Sequence, residues 1–488
     1  MRTTLRFLLG HEPRELERVD PTMTVLEYLR GVEHRKGTKE GCAEGDCGAC
    51  TVVLARPAGD RLRYEAVNAC IRFLPTIDGC QLLTVEDLQS PDGELHPVQE
   101  ALVEANATQC GFCTPGFVMS LLAVYQNGLE PTPERVDDAL AGNLCRCTGY
   151  GTIAAAGTAM REAPGATEHL DGRKADVLAR LRAWQDGETL AVEGDGRRFF
   201  APATADELAR LLLEHPEATV LAGGTDVGLW VTKLHRRLET VIYVGRVREL
   251  AEIRESDDAI EIGAGVTYRD ATAALAGAWP DMGEVIRRLG SVQIRNCGTI
   301  GGNIANGSPI GDSPPLLIAA GATLVLRRGD ERRKIPLEDF FLAYGKQDRR
   351  PGEFVEKVVV RKSTAGTHFR CYKISKRFDQ DISAVCAAFR IDLDGERVAS
   401  ARIAFGGMAA TPKRAAAAEA ALTGKRLSEE TVEAAVEALA ADYAPISDMR
   451  ASADYRMRVA RNLLLKCFIE WRQGAPVRVL TPREPALV

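Results

Sequence analysis

The residues Cys42-Ala43-Glu44-Gly45-Asp46-Cys47-Gly48-Ala49-Cys50 set three cysteines at the spacing C-x4-C-x2-C. No other stretch limits so sharply what the chain can become. Three thiols this close share one centre only if the loop between them turns tightly. Gly41, Gly45 and Gly48 permit that turn. Such a turn also aims backbone N–H groups inward, where they offset negative charge. The spacing is one that holds a [2Fe–2S] cluster, whose irons are bound by cysteine thiolates. Cys70 is the candidate fourth ligand. Zinc loops more often pair two short hairpins, so iron–sulfur is the reading for Cys42, Cys47, Cys50 and Cys70.

The chain has 488 residues, which at ~150 residues per domain suggests about three domains. A net charge of −6 and the lack of a basic stripe argue against a nucleic-acid partner. No apolar run reaches the ~18 residues of a membrane span, and the opening segment is too short for a secretory signal. Thirteen cysteines without such a signal favour metal ligation in a reducing compartment over disulfides. The expected location is cytoplasmic. Thr3, Leu5, Phe7 and Leu9 alternate as a half-buried strand. Thr24 and Glu27 stand at capping-box spacing, so a short helix ending at Gly31 is expected. Thr51 to Leu54 reads as a strand. Residues 1–82 are therefore expected to form a β-grasp-like ferredoxin domain.

A second cysteine group follows as Cys110 and Cys113, then Cys145 and Cys147. Each pair stands at the end of a helical pattern, one through Phe117, Leu121 and Tyr125, another through Val136 and Leu140. Residues 83–161 are expected to be an all-α bundle. On spacing alone zinc competes for these four thiols. The neighbouring ferredoxin-type loop favours a second [2Fe–2S] cluster. Residues 162–194 lose hydrophobic periodicity and read as a linker with a helix near 177–184.

Beyond the linker the pattern becomes α/β. Val220, Leu221, Ala222, Gly223, Gly224, Thr225, Asp226 and Val227 make an apolar run turning into a glycine loop. An ordinary turn and a phosphate cradle both fit it. A dinucleotide fingerprint at Gly263 and Gly265 fails, because Tyr268 stands where close helix packing needs a small residue. Thr299, Ile300, Gly301, Gly302 and Asn303 form a denser array of donors with little bulk, with Asp312 a few residues on. After residue 376, strands near 384–389 and 402–405 alternate with helices, of which 413–422 and 428–443 are expected as plain surface helices and 452–471 closes the domain. Cys80, Cys297, Cys371, Cys386 and Cys467 lack partners at ligand spacing and read as core thiols.

The order of the first cysteine loop, then Gln109-Cys110-Gly111-Phe112-Cys113-Thr114-Pro115-Gly116, then Asn143-Leu144-Cys145-Arg146-Cys147-Thr148-Gly149-Tyr150, resembles the iron–sulfur half of the xanthine dehydrogenase family of molybdenum hydroxylases. The family usually continues Tyr-Arg-Pro-Ile, whereas this chain has Tyr150-Gly151-Thr152-Ile153. The two glycine-rich stretches resemble that family's flavin domain, which is of vanillyl-alcohol-oxidase type. The resemblance implies an FAD-binding domain over 195–370 and a C-terminal α+β subdomain over 371–480. It implies FAD contacts from residues 220 to 227, from 299 to 303, and from Asp312 and Lys373. Leu289 falls where the family sets an apolar side chain against the flavin. It further implies the small subunit of a split enzyme, since 488 residues end before a molybdenum domain would begin. The expected partner is a large molybdenum-cofactor subunit that hydroxylates hypoxanthine or xanthine, in a two-plus-two heterotetramer, with NAD as final acceptor; the alternatives are the equivalent subunit of a hydroxylase for an aldehyde, nicotinate or aromatic substrate, and an electron carrier to oxygen or a quinone. Clusters pass single electrons and a nicotinamide takes a hydride, so a flavin on the same chain converts between the two.

Overall fold

In the computed structural model residues 1–474 are described, and they fall into two compact units. One comprises Met1–Arg248 together with Gly290–Gly298; the other comprises Glu249–Leu289 and the chain from Thr299 onward. The stretch expected as one flavin domain thus contributes to both units.

The first unit opens with a five-stranded mixed sheet. Its order is Glu12–Leu16, Leu5–Leu9, Gln81–Leu83, Thr51–Ala58, Arg61–Asn68. Leu5–Leu9 runs parallel to Gln81–Leu83 and the other neighbours are antiparallel. Successive side chains leave a strand on opposite faces. Leu5, Phe7, Leu9, Val52 and Leu54 enter one core, and Leu8, Val53 and Ala55 enter another. The sheet is therefore covered on both faces, where alternation had pointed to one. The second cover comes from helices Thr114–Gln126 and Lys174–Ala183, whose Phe117, Leu121, Val177 and Leu181 share the core with Leu8. The segment read as a linker carries the second of these helices.

Thr24 and Glu27 form the expected capping box: Glu27 N–H donates to the Thr24 hydroxyl at 3.1 Å, and Thr24 N–H to the Glu27 carboxylate at 2.8 Å. The α-helix spans only Val25–Glu27 and then widens into a π-turn, Tyr28–Val32. Gly31 lies inside that turn and does not end the helix. Glu33, held by Arg14 and the Tyr28 hydroxyl, carries its N–H back to the Tyr28 carbonyl, which stretches the turn. Helix Thr114–Gln126 starts directly after Cys113, and helix Gly151–Ala159 starts four residues after Cys147. A second sheet, ordered Leu190–Gly194, Arg197–Ala201, Thr240–Tyr243, Thr219–Leu221, delivers the first glycine loop.

The second unit holds a five-stranded antiparallel sheet, with Phe354–Arg361 at its centre, and a four-stranded one. In the latter, Thr367–Ile374, Val385–Asp394 and Arg397–Gly406 pack against helices Ala416–Leu422, Glu429–Asp442 and Ala453–Gln473. The first two of these helices were expected on the surface, but Ala418, Val432, Ala435 and Leu439 are buried in that core. Lys413 and Arg414, expected as helical, pair as a short strand with Phe405 and Ala404. Residues 475–480 of the expected C-terminal subdomain lie outside the described residues. Among the described residues no helix is long and apolar enough to cross a membrane.

Candidate functional site

The first cysteine loop turns through left-handed residues at Ala43, Gly45 and Gly48. That path brings the N–H groups of Glu44, Asp46 and Cys47 to the Cys42 sulfur, at 3.5, 3.4 and 3.4 Å. The Cys42 thiol neighbours those of Cys47 and Cys70, and Cys50 neighbours Cys70. Cys42 is held far below the usual thiol range by hydrogen bonds from Cys47 and Cys70 and then by backbone N–H groups. Cys47 and Cys70 are pushed up, first by that same Cys42 thiolate and then by burial. Four thiols that cannot all ionise alone fit a cationic centre that would take all four as thiolates. Cys50 and Cys70 are buried, and Cys42 and Cys47 half-buried.

The second set is built the same way at a more open place. The Cys145 sulfur accepts from the N–H groups of Cys147 and Thr148, both at 3.4 Å, and meets the Thr148 hydroxyl at 3.2 Å. Although partial burial pushes its thiol up, those hydrogen bonds hold it at about 7. Cys110 pairs with Cys147 and Cys113 with Cys145. Cys110 and Cys147 are exposed, and so are Phe112, Leu144 and Tyr150. Where the motif departs at Gly151, Tyr150 takes a left-handed conformation and its hydroxyl accepts from the Cys145 N–H at 2.9 Å. Gly151 faces open space. The turn that sets the cysteines is therefore made by Tyr150. Among the described residues no three His, Cys, Asp or Glu side chains gather as they would around a single ion.

Sequence reasoning missed what joins the two sets. Leu144 N–H donates to the Cys47 carbonyl at 2.9 Å, and around that bond lie the buried side chains of Thr51, Ser120, Asn143 and Gln293. Nothing in the spacing of these four singles them out.

The two glycine loops, alike in sequence, differ in what their backbones offer. In the first unit, Val220 is half-buried and Leu221 buried at the end of Thr219–Leu221. The N–H groups of Ala222, Gly223, Gly224 and Thr225 meet no acceptor among the described residues. Consecutive free N–H groups in a turn fit an anion such as a diphosphate. Asp226 is exposed and Val227 starts the helix Val227–Thr232. A Cβ on Gly223 would stand 2.0 Å from the Cys297 carbonyl oxygen, and one on Gly228 2.6 Å from that of Ile71, the neighbour of Cys70. The loop thus lies against the first cysteine set.

In the second unit, Thr299 caps the helix Ile300–Asn306, its hydroxyl accepting from Gly302 N–H at 2.9 Å. Ile300 and Gly301 donate to Val266 and Ala264, and Asn303 to Thr299. The backbone donors expected here are thus used by the fold, and the small residues serve close packing: a Cβ on Gly301 would sit 2.4 Å from that of Ala264. Asp312 and Lys373 come together, with Lys373 Nζ 2.5 Å from one carboxylate oxygen and the Ser383 hydroxyl 2.5 Å from the other. The Lys373 carbonyl accepts from Arg288 at 3.1 Å, and burial lowers the guanidinium's pKa. Leu289 is half-buried beside it.

Family models match along most of the chain. One for 2Fe-2S iron-sulfur cluster binding domains covers 9–73, and a second [2Fe-2S] binding domain covers 84–158. The FAD binding domain in molybdopterin dehydrogenase matches 193–361, and the CO dehydrogenase flavoprotein C-terminal domain matches 370–471. Two [2Fe–2S]-binding domains and an FAD-binding domain are thus present. Xanthine dehydrogenase of Emericella nidulans is 33% identical over 90% of this chain and 36% of its own length. That of Drosophila pseudoobscura pseudoobscura is 33% identical over 92% of this chain and 38% of its own. The chain therefore spans little more than a third of these relatives. Among solved structures, carbon monoxide dehydrogenase from Hydrogenophaga pseudoflava is 34% identical, with a TM-score of 0.52, covering 55% of this chain and 93% of that one. Quinoline 2-oxidoreductase from Pseudomonas putida 86 is 27% identical, with a TM-score of 0.51, covering 57% and 97%.

Proposed function

We propose, for a chain that belongs to the molybdenum hydroxylases as their iron–sulfur and flavin portion, that it serves a xanthine dehydrogenase. In this reading it carries electrons from a molybdenum-cofactor subunit that hydroxylates a purine, and delivers them to NAD. Cys110, Cys113, Cys145 and Cys147 would hold one [2Fe–2S] cluster, and Cys42, Cys47, Cys50 and Cys70 the other. The clusters supply one-electron chemistry and the flavin joins it to hydride chemistry.

The observation that carries this reading is the gradation of access in the first unit. The second cysteine set faces outward, which suits receipt from a partner. The first set is half- to fully buried, and the Leu144–Cys47 hydrogen bond ties the two loops. Ile71, next to Cys70, then packs on the first glycine loop. For the flavin, the N–H groups of residues 222–225 are proposed to hold its diphosphate. In the second unit, residues 299–303, Asp312, Lys373 and Leu289 are proposed as further contacts. The choice of purine as substrate and NAD as acceptor is supported by the identity to xanthine dehydrogenases along most of this chain.

Stopped-flow mixing of the isolated chain with NADH tests the acceptor. Rapid flavin bleaching is expected. A preparation with full iron and FAD that NADH leaves oxidised refutes the NAD site and leaves the relay standing. Co-purification with a large chain that turns over an aldehyde or an aromatic heterocycle, and not xanthine, refutes the purine assignment.

A further inference from the structure

The contact between the two cysteine loops is locked from a third direction. Gly48, Gly116 and Gly142 meet there backbone to backbone: a Cβ on Gly48 would lie 2.2 Å from the Gly142 carbonyl oxygen, and one on Gly116 2.2 Å from that of Gly48. Above this contact Asn143 donates to the Gly48 carbonyl at 3.1 Å and accepts from the Ser120 hydroxyl at 2.7 Å. Thr51, the residue after Cys50, donates to the same Gly48 carbonyl at 2.6 Å. Gln293 closes the network. Its side-chain nitrogen lies 3.1 Å from Asn143 Oδ1, 3.2 Å from the Ser120 hydroxyl and 3.3 Å from the Thr51 hydroxyl. All four residues are 2% exposed or less.

Gln293 belongs to neither cysteine domain in sequence. It arrives on Gly290–Gly298, which returns to the first unit from far along the chain. Asn296 pins that segment by donating to the Ala66 carbonyl at 2.9 Å, so the Gln293 amide is delivered at a fixed place. We propose that Gln293 is a positioning residue for electron transfer between the two clusters, acting through Asn143 and Thr51 to hold the Leu144–Cys47 bridge. This rests on both cysteine sets being cluster ligands. Electron transfer between fixed centres falls off exponentially with their separation, so a small shift of one cysteine loop against the other slows it. A buried network fixes position well because each member lacks water as an alternative partner.

The test uses the full chain with its cofactors. Gln293→Met keeps the length of the side chain and removes the amide. It is expected to retain iron and FAD, to slow redistribution of electrons between the clusters after flash photoreduction with deazaflavin by a few-fold, and to alter the magnetic splitting between the two reduced clusters in electron paramagnetic resonance. Unchanged rate and splitting, with both clusters present, overturn the proposal. Should Gln293→Met fail to load iron, Ser120→Ala decides: it removes one network member at a distance from the segment, and an unchanged splitting there is equally fatal. Absence of iron from the unsubstituted chain would instead overturn the cluster assignment beneath.

Discussion

Replacing Lys373 by Met leaves the Asp312 carboxylate in a site where neither side chain is more than 7% exposed. Solvent cannot screen a charge so enclosed, and the Ser383 hydroxyl remains to hydrogen-bond it, with the Arg288 guanidinium as a further positive charge nearby. Removing one partner of a buried ion pair costs about 3–5 kcal/mol, largely because the other charge is stranded. For a unit of this size each kcal/mol moves the midpoint by about 2–4 °C. Lys373→Met should therefore lower the thermal transition of the second unit by about 10 °C. Asp312→Asn combined with Lys373→Met removes both charges and should recover much of that loss. The coupling in the double-mutant cycle should reach about 2–3 kcal/mol. Scanning calorimetry resolves the transition, with the release of FAD followed by its fluorescence. If the double variant is no more stable than Lys373→Met, the pair does not act as a stranded-charge system, and Lys373 stabilises the fold some other way.

Gly223→Ala drives a Cβ into the Cys297 carbonyl, so FAD content should fall sharply while iron stays, read by absorbance after acid release. Cys147→Ser should remove one cluster and halve the iron without disturbing FAD, by metal analysis and resonance spectra. Gly48→Ala adds left-handed strain of about 1–2 kcal/mol to the collision with Gly142, and should lose iron from both sets. His96 is buried with its Nδ1 accepting from Val98 N–H at 3.2 Å, and burial lowers its pKa to about 4. The unfolded chain then binds more protons than the native one between about pH 6.5 and 4. Stability should be full above that window and fall as pH drops through it, and His96→Asn should flatten the dependence in urea titrations.

The grouping of the cysteines was legible because most of it is local: Cys42, Cys47 and Cys50, and the pairs Cys110–Cys113 and Cys145–Cys147, each lie within a few residues of one another. The capping box at Thr24 was legible for the same reason. The sheet's second buried face was not, since Leu8, Val53 and Ala55 stand in strands that alternation alone assigns to one core. The second glycine loop was read as the denser array of donors, whereas the backbone N–H groups left without an acceptor among the described residues lie on the first. The loops differ because Val266 and Ala264 happen to face Ile300 and Gly301, and such long-range pairings leave no trace in spacing. Gln293 was invisible for a related reason, as its partners lie at positions 51, 120 and 143.

The return of Gly290–Gly298 to the first unit bears on how the chain is made. A ribosome that has added Arg248 must add about 50 more residues before that segment is complete, which at about 5–20 residues per second is a delay of several seconds. During that interval the cysteine domains are synthesised but lack the last strip of their covering. For that interval Thr51, Ser120 and Asn143 stand without the Gln293 amide, so the joint between the two cysteine loops is completed from the chain's later half.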